Sequence, residues 1–154
     1  MKVTPLVQRD IAEMYLEVKR SAIHLRELGW LATSPYAKFL PHYDRLITSD
    51  KIKIFVIRWN GHVAGAIEVE VNQDNYFVGY WLGKKYRGKG LASAALQSIL
   101  EGSAYANKPI VSRADEKNKK SQAVLERCGF KEISREDNWI YYVFQSSVEP
   151  NNLS

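Results

Sequence analysis

The sequence predicts a mixed α/β domain, an α+β mixed sheet. An antiparallel meander comes first, then strand–helix–strand–helix, then a C-terminal hairpin. Three observations predict it. Residues from Ile52 to Val71 alternate by twos about Asn60-Gly61, a strong hairpin signal. Gly88 to Ala106 and Asn118 to Cys128 instead repeat apolar residues at helical spacing. Two last strand-like runs flank a turn at Glu136-Asp137-Asn138.

Val3 to Gln8 reads as a short first strand. Asp10 followed by Glu13 forms a capping-box pattern ahead of Ile11, Met14, Tyr15, Leu16 and Val18. Ile23, Leu25 and Leu28 continue that helix or begin a second, closed by Gly29. Ser34-Pro35 is a further helix start, with Ser34 as N-cap, before Tyr36, Phe39, Leu40, Tyr43, Leu46 and Ile47. Pro41 should bend or restart that helix.

Ile52 to Arg58 and Val63 to Val71 are the first hairpin of the meander. Glu68 and Glu70 fall on one face, Ile67, Val69 and Val71 on the other. After Asn72-Gln73-Asp74-Asn75, Tyr76 to Leu82 is apolar throughout and so central. The helix from Gly88 presents Leu91, Ala92, Ala95, Leu96, Ile99 and Leu100, a face suited to lying on a sheet. Pro109 to Ser112 is a short strand. In the helix after it, Ala123, Val124 and Leu125 should point inward and Gly129 should end it. Phe130 to Ser134 and Trp139 to Phe144 make the last hairpin. Residues 1–145 form a single domain, and 146–154, polar with Pro150, form a flexible tail.

The chain has 154 residues, 45% hydrophobic and 25% charged, enough for one ordinary domain with a core and too apolar for disorder. One cysteine, Cys128, cannot form an internal disulfide. It also excludes zinc sites with several cysteine ligands, and it fits a reducing, cytoplasmic compartment. His24, His42 and His62 have no metal-like spacing, so no metal site is expected. Met1 to Arg9 lacks a signal-peptide apolar region, and no window approaches the roughly 18 apolar residues of a membrane span.

The net charge of +5 is unevenly placed. Lys84 to Lys131 holds 11 basic and 4 acidic residues, a surplus of seven, and the remainder is net −2. A nucleic-acid face would interleave aromatics with those cations. Only Tyr86 and Tyr105 fall between Lys84 and Arg127, so no nucleic-acid partner is expected.

The surplus begins at Gly83-Lys84-Lys85-Tyr86-Arg87-Gly88-Lys89-Gly90-Leu91-Ala92, a basic glycine loop between a strand and a helix. Free N–H groups and the positive end of the helix dipole make such a place an anion site. A Walker A loop would need Ser or Thr where Gly90 stands, and a dinucleotide fingerprint would need Gly where Ser93 stands.

The loop, the following helix and strand, then Asn118-Lys119-Lys120-Ser121 and Cys128-Gly129-Phe130 resemble the GNAT-type N-acetyltransferase superfamily. The family pattern is (Gln/Arg)-x-x-Gly-x-(Gly/Ala); Gly88 and Gly90 match it, and Lys85 in the first place is a mild departure. Gly79-Tyr80-Trp81-Leu82 resembles the branch that includes the ribosomal-protein N-terminal (alanine/serine) acetyltransferases. The resemblance implies a GNAT-like fold and acetyl-CoA as co-substrate. Its pyrophosphate would lie on Arg87, Gly88, Lys89, Gly90, Leu91 and Ala92. Lys84, Lys85 and Lys89, joined by Lys119 or Lys120, would face its ribose phosphate. Its pantetheine arm would run beside Tyr80, Trp81 and Leu82, where the strand splays from the next, with an N–H near Leu82 serving the oxyanion. Asn118 would contact the arm, cap its own helix, or both.

The implied reaction is direct acetyl transfer to a primary amine through a tetrahedral intermediate. The acceptor is a protein N-terminus or small-molecule amine, with no membrane partner and room for a homodimer. The positions where relatives often carry a tyrosine acid and a glutamate base hold Leu125 and Arg113. Ser121 is the remaining candidate for the acid, with Tyr80 second. Glu68 and Glu70 are the carboxylates placed for a base. Cys128 reads as packing. The aromatics Trp30, Tyr36, Phe39, Tyr43, Trp139, Tyr141 and Tyr142 belong either to the core or to an acceptor pocket. The alternative function is a CoA-binding sensor or scaffold with little catalysis.

Overall fold

Strand alternation around one tight turn organises the front half of the molecule. The structure, a computed structural model, describes residues 1–22, 29 and 31–146. Strand β2 (Ile52–Trp59) and β3 (His62–Val71) pair antiparallel across Asn60 and Gly61, whose φ values of 50° and 80° are those of a type I′ turn. Strand β4 (Tyr76–Leu82) extends the meander, pairing Val71 with Tyr76 through Gly65 with Leu82. Strand β1 (Lys2–Pro5), shorter than the expected Val3 to Gln8, closes the outer edge on β2.

The remaining strands are β5 (Ile110–Asp115), β6 (Lys131–Glu136) and β7 (Trp139–Phe144). Among the described residues the sheet has seven strands in the order β1-β2-β3-β4-β5-β7-β6, and only β4–β5 is parallel. The mixed α/β architecture is therefore as expected, with β5 ending three residues later, at Asp115.

The two faces have separate cores. Helices α1 (Asp10–Arg20) and α2 (Tyr36–Ile47) cover one with Ile11, Met14, Val18, Phe39 and Tyr43 against Ile54, Val56, Ala66 and Trp81. Helices α3 (Leu91–Leu100) and α4 (Lys119–Arg127) cover the other, packing Leu91, Ala95, Leu96, Leu125 and Cys128 on Ile67, Val69, Val78 and Ile110. Below, these are the α1/α2 face and the α3/α4 face.

Several local expectations change. Asp10 forms no capping box: it accepts from the Val7 N–H at 3.1 Å and pairs with Arg58 at 2.6 Å, while Glu13 reaches His62. Ser34 does not cap α2; it is buried and donates to the Leu31 carbonyl. Pro41 leaves α2 continuous, standing on an exposed side where water can meet the carbonyl it leaves unpaired. Helix α3 ends at Leu100 rather than near Ala106, just before Gly102. Tyr105 then turns back onto Tyr76, with ring centroids 4.9 Å apart. In α4, Leu125 is buried but Ala123 is exposed, because three consecutive positions cannot share one helix face. Ile23, Leu25, Leu28, Trp30 and residues 147–154 lie outside the described residues.

Candidate active site

Parallel pairing between β4 and β5 lasts only for Tyr76–Ile110 and Phe77–Val111. Beyond that the strands part. The Ser112 hydroxyl marks the fork, donating to the Val78 carbonyl at 2.7 Å. Main-chain direction alternates along a strand, so Tyr80 and Leu82 turn their N–H and C=O groups the same way as Val78, into the gap. The result is a cleft of about 820 Å³ between the two strands.

At the wide end, Gly83 leads into a single 3-10 turn, Lys84–Tyr86. Three contacts fix this loop. Tyr86 is buried beneath it, the Lys84 N–H donates to buried Ser21 Oγ at 2.9 Å, and the Arg87 Nε donates to the Leu82 carbonyl at 3.2 Å. A side chain at Gly83 would overlap the buried Glu17 carboxylate. Gly88 and Gly90 have φ of +79° and +75°, and a Cβ on either would meet open space. The backbone therefore demands glycine at both, and their bare main chain faces the cleft at the start of α3. Arg87, Gly88, Gly90, Leu91 and Ala92 line the cleft; Lys89 does not.

The cations around it are only partly those expected. Arg87 and Lys120 line the cleft, whereas Lys84, Lys85 and Lys119 do not. Lys85 instead rests over the Tyr86 ring, 5.1 Å from its centroid. Arg127 is an addition: it lines the cleft and donates to buried Ser93 Oγ at 3.2 Å, bringing α4 charge to the first turn of α3. The sequence signalled it only as one member of the basic stretch.

Asn118 caps α4, accepting from the Ser121 N–H at 3.1 Å, and lines the cleft as well. Its cap sets Ser121 one turn into the helix, where Ser121 Oγ lies 2.9 Å from the Tyr80 hydroxyl. The two candidates for the acid are thus a hydrogen-bonded pair, on the α3/α4 face.

Glu68 lies on the other face. It pairs in register with Gly79 and lines the cleft; Glu70, two residues along, does not. Solvent reaches Glu68 through the cleft, but Tyr43, Ile54 and Trp81 crowd the same wall. Burial, then the nearby Glu70 charge, raises its pKa above the ordinary carboxylate range. Burial, aided by Glu68, likewise raises that of Tyr43. Trp81 is buried in the core of this face.

Arg113 lines the cleft with its guanidinium 3.9 Å from the Trp139 ring, while Leu125 is wholly buried. Phe39 and Tyr142 are core; Tyr36 is exposed against Tyr15. Cys128 is buried, reaches the Ser93 carbonyl at 3.6 Å, and has its thiol pKa raised by burial, which suits packing and not nucleophilic attack. Ser112 and Arg127 have no distinguishing sequence signal, because each acquires its place through a partner far along the chain.

A family model for the acetyltransferase (GNAT) domain matches residues 2–131. The chain belongs to that family, whose members are acetyl-CoA-dependent N-acetyltransferases, and acetyl-CoA is the co-substrate. Solved structures agree in fold. The ribosomal-protein α-N-acetyltransferase RimL in complex with coenzyme A aligns at TM-score 0.86 and 17% identity over 96% of this chain and 94% of that one. The microcin self-immunity acetyltransferase MccE, with acetyl-CoA and AMP, aligns at 0.82 and 21% over 94% and 92%. An aminoglycoside acetyltransferase with coenzyme A and kanamycin aligns at 0.73 and 20% over 94% and 95%. No curated protein sequence matches the chain significantly. Among the described residues, no helix is long and apolar enough to cross a membrane.

The residues fit the co-substrate. Two bare glycines and a helix start suit a pyrophosphate, Arg87, Lys120 and Arg127 suit its charge, and the gap beside β4 admits an extended arm.

Proposed function

We propose that this chain moves acetyl directly from acetyl-CoA to a primary amine, with Glu68 as base and the Tyr80–Ser121 pair as proton donor. One observation carries the reading. Register puts Glu68 on the α1/α2 face and Tyr80 on the α3/α4 face, on opposite sides of the same gap. Transfer needs a neutral amine on one side and a protonated leaving sulfur on the other, so base and acid must be apart.

When bound, the co-substrate supplies the activated acetyl group. The chain's own residues do the rest. Glu68, with its raised pKa, accepts the ammonium proton directly or through water. The Tyr80 and Leu82 N–H groups donate to oxygen charge developing in the gap. Ser121, hydrogen-bonded to Tyr80, delivers a proton at Oγ to the departing sulfur. Asn118 holds Ser121 through the helix cap. The loop from Arg87 to Ala92 binds phosphate.

The acceptor is a protein N-terminus or a small amine. An α-amine, with a pKa near 7.7–8.0, asks far less of the base than a lysine near 10.4. The single buried thiol accords with a cytoplasmic site of action. A thiol-release assay over peptides, polyamines, aminoglycosides and amino acids tests the reading. Release that Glu68→Gln and Ser121→Ala both suppress supports it; release untouched by either overturns the assignments. Leu125 and Arg113, at the usual acid and base positions, favour a second reading, a CoA sensor. Tight CoA binding with no release for any amine would select it.

A further inference from the structure

We infer that the acceptor carries an anionic group, a carboxylate or phosphate, close to its amine, and that Arg113 recognises it. The inference deepens the transfer reading and rests on it for the position of the amine.

Arg113 is prepared for such a contact. Its guanidinium carbon lies over the Trp139 ring, 3.9 Å from the centroid, a cation–π contact that restrains the side chain. Among the described residues no carboxylate forms an ion pair with it. Asp115, the nearest acid along the strand, gives an oxygen to the Lys117 N–H at 2.8 Å instead. Both Arg113 and Trp139 line the cleft. A fixed, unpaired guanidinium with five donors matches a planar carboxylate or a phosphate.

Position gives this contact its meaning. Ile110 and Ala114 of β5 enter the α3/α4 core, so the alternate residue Arg113 faces the other side, with Glu68. Glu68 on β3 and Arg113 on β5 then stand on opposite banks of the gap. Between them is Gly79, where a Cβ would meet nothing within 4 Å. An amine at Glu68 and an anion at Arg113 would occupy that open floor. Arg113 is also separate from the cations of the phosphate loop, since Arg127 and Ser93 belong to the α3/α4 side. A polycationic acceptor would bring like charge against it.

The test uses the full chain and matched amine pairs: phenylalanine with its amide, a peptide beginning Ser-Asp with its Ser-Asn counterpart, and O-phosphoethanolamine with ethanolamine. Thiol release gives kcat/KM, and calorimetry on the CoA-loaded protein gives affinity. In at least one pair the anionic member should be favoured by about tenfold or more, and Arg113→Gln should bring that ratio near one. The responding pair identifies amino acid, peptide or phosphate as the source. CoA affinity checks folding. If Arg113→Gln loses it, Arg113→Lys, which keeps charge without the fork, must lower the ratio several-fold. Equal treatment of every pair, preference for the neutral members, or a preference that survives the substitution overturns the inference. No release with any amine defeats the transfer reading alone; the calorimetric ratios then decide by the same criteria, and no binding in any pair overturns the inference too.

Discussion

Glu68 owes its candidacy to its neighbours. A carboxylate whose pKa is raised becomes a base only as pH climbs past the ordinary carboxylate range. The rising limb of kcat/KM should therefore sit above that range. Glu68→Gln should remove the limb and about a hundredfold of rate. Stability should move the opposite way. The folded-state pKa lies above the unfolded one, so raising pH through the two values costs stability. Glu68→Gln should thus melt higher than wild type at pH 7, the difference vanishing in acid, as differential scanning fluorimetry would read. A variant that melts lower at pH 7 would contradict the cause given for the shift. Across the gap, Tyr80→Phe and Ser121→Ala should each cut single-turnover transfer by ten- to a hundredfold. Their hydrogen bond predicts that the double variant is scarcely slower than the worse single one.

At the scale of elements, each helix start serves two purposes. Asn118 caps α4 and thereby aims Ser121. Asn118→Ala should cost about 1 kcal/mol in denaturant unfolding, and Asn118→Asp should recover most of it. If Asp restores stability but not turnover, Asn118 also has a role at the bound arm. The α3 start depends on left-handed backbone, so Gly88→Ala should cost about 1–2 kcal/mol before any ligand is added. Its CoA dissociation constant should rise besides. The Ser112 hydroxyl holds the fork of the sheet. Ser112→Ala leaves the Val78 carbonyl without its donor and should destabilise by about 1–3 kcal/mol.

Taken whole, the molecule is a sheet with one parallel join, opened on one side to admit a ligand. The basic surplus of Lys84 to Lys131 surrounds that opening only in part: besides Arg113, Arg87, Lys120 and Arg127 line it. Coenzyme A and acetyl-CoA should raise the melting temperature, and ATP should not. Raising salt should weaken CoA binding through those three charges. Equal stabilisation by ATP would show a phosphate site without the arm.

Much of this was legible along the chain. The Asn60-Gly61 turn, the meander, the basic loop with its two glycines and the Asn118 cap each depend on residues within a few positions of one another. Local backbone preference is enough to write them. Capping at Asp10 and Ser34 failed because tertiary partners, Arg58 and the Leu31 carbonyl, claimed those side chains. Helix α3 stops at Leu100, short of Ala106, and Tyr105 beyond it packs back on Tyr76.

Local pattern along the chain specifies most of the elements, the basic glycine loop and the family resemblance. Which groups meet follows from the packed fold. Tyr80 and Ser121 are 41 residues apart, and Ser112 and Val78 are separated by 34, as are Arg127 and Ser93. The reason is physical. Strand and helix periodicity says which face a side chain takes. Which face looks into the gap follows from the order of the strands and the place where β4 and β5 stop pairing. That divergence leaves Glu68 and Arg113 lining the cleft and Glu70 outside it.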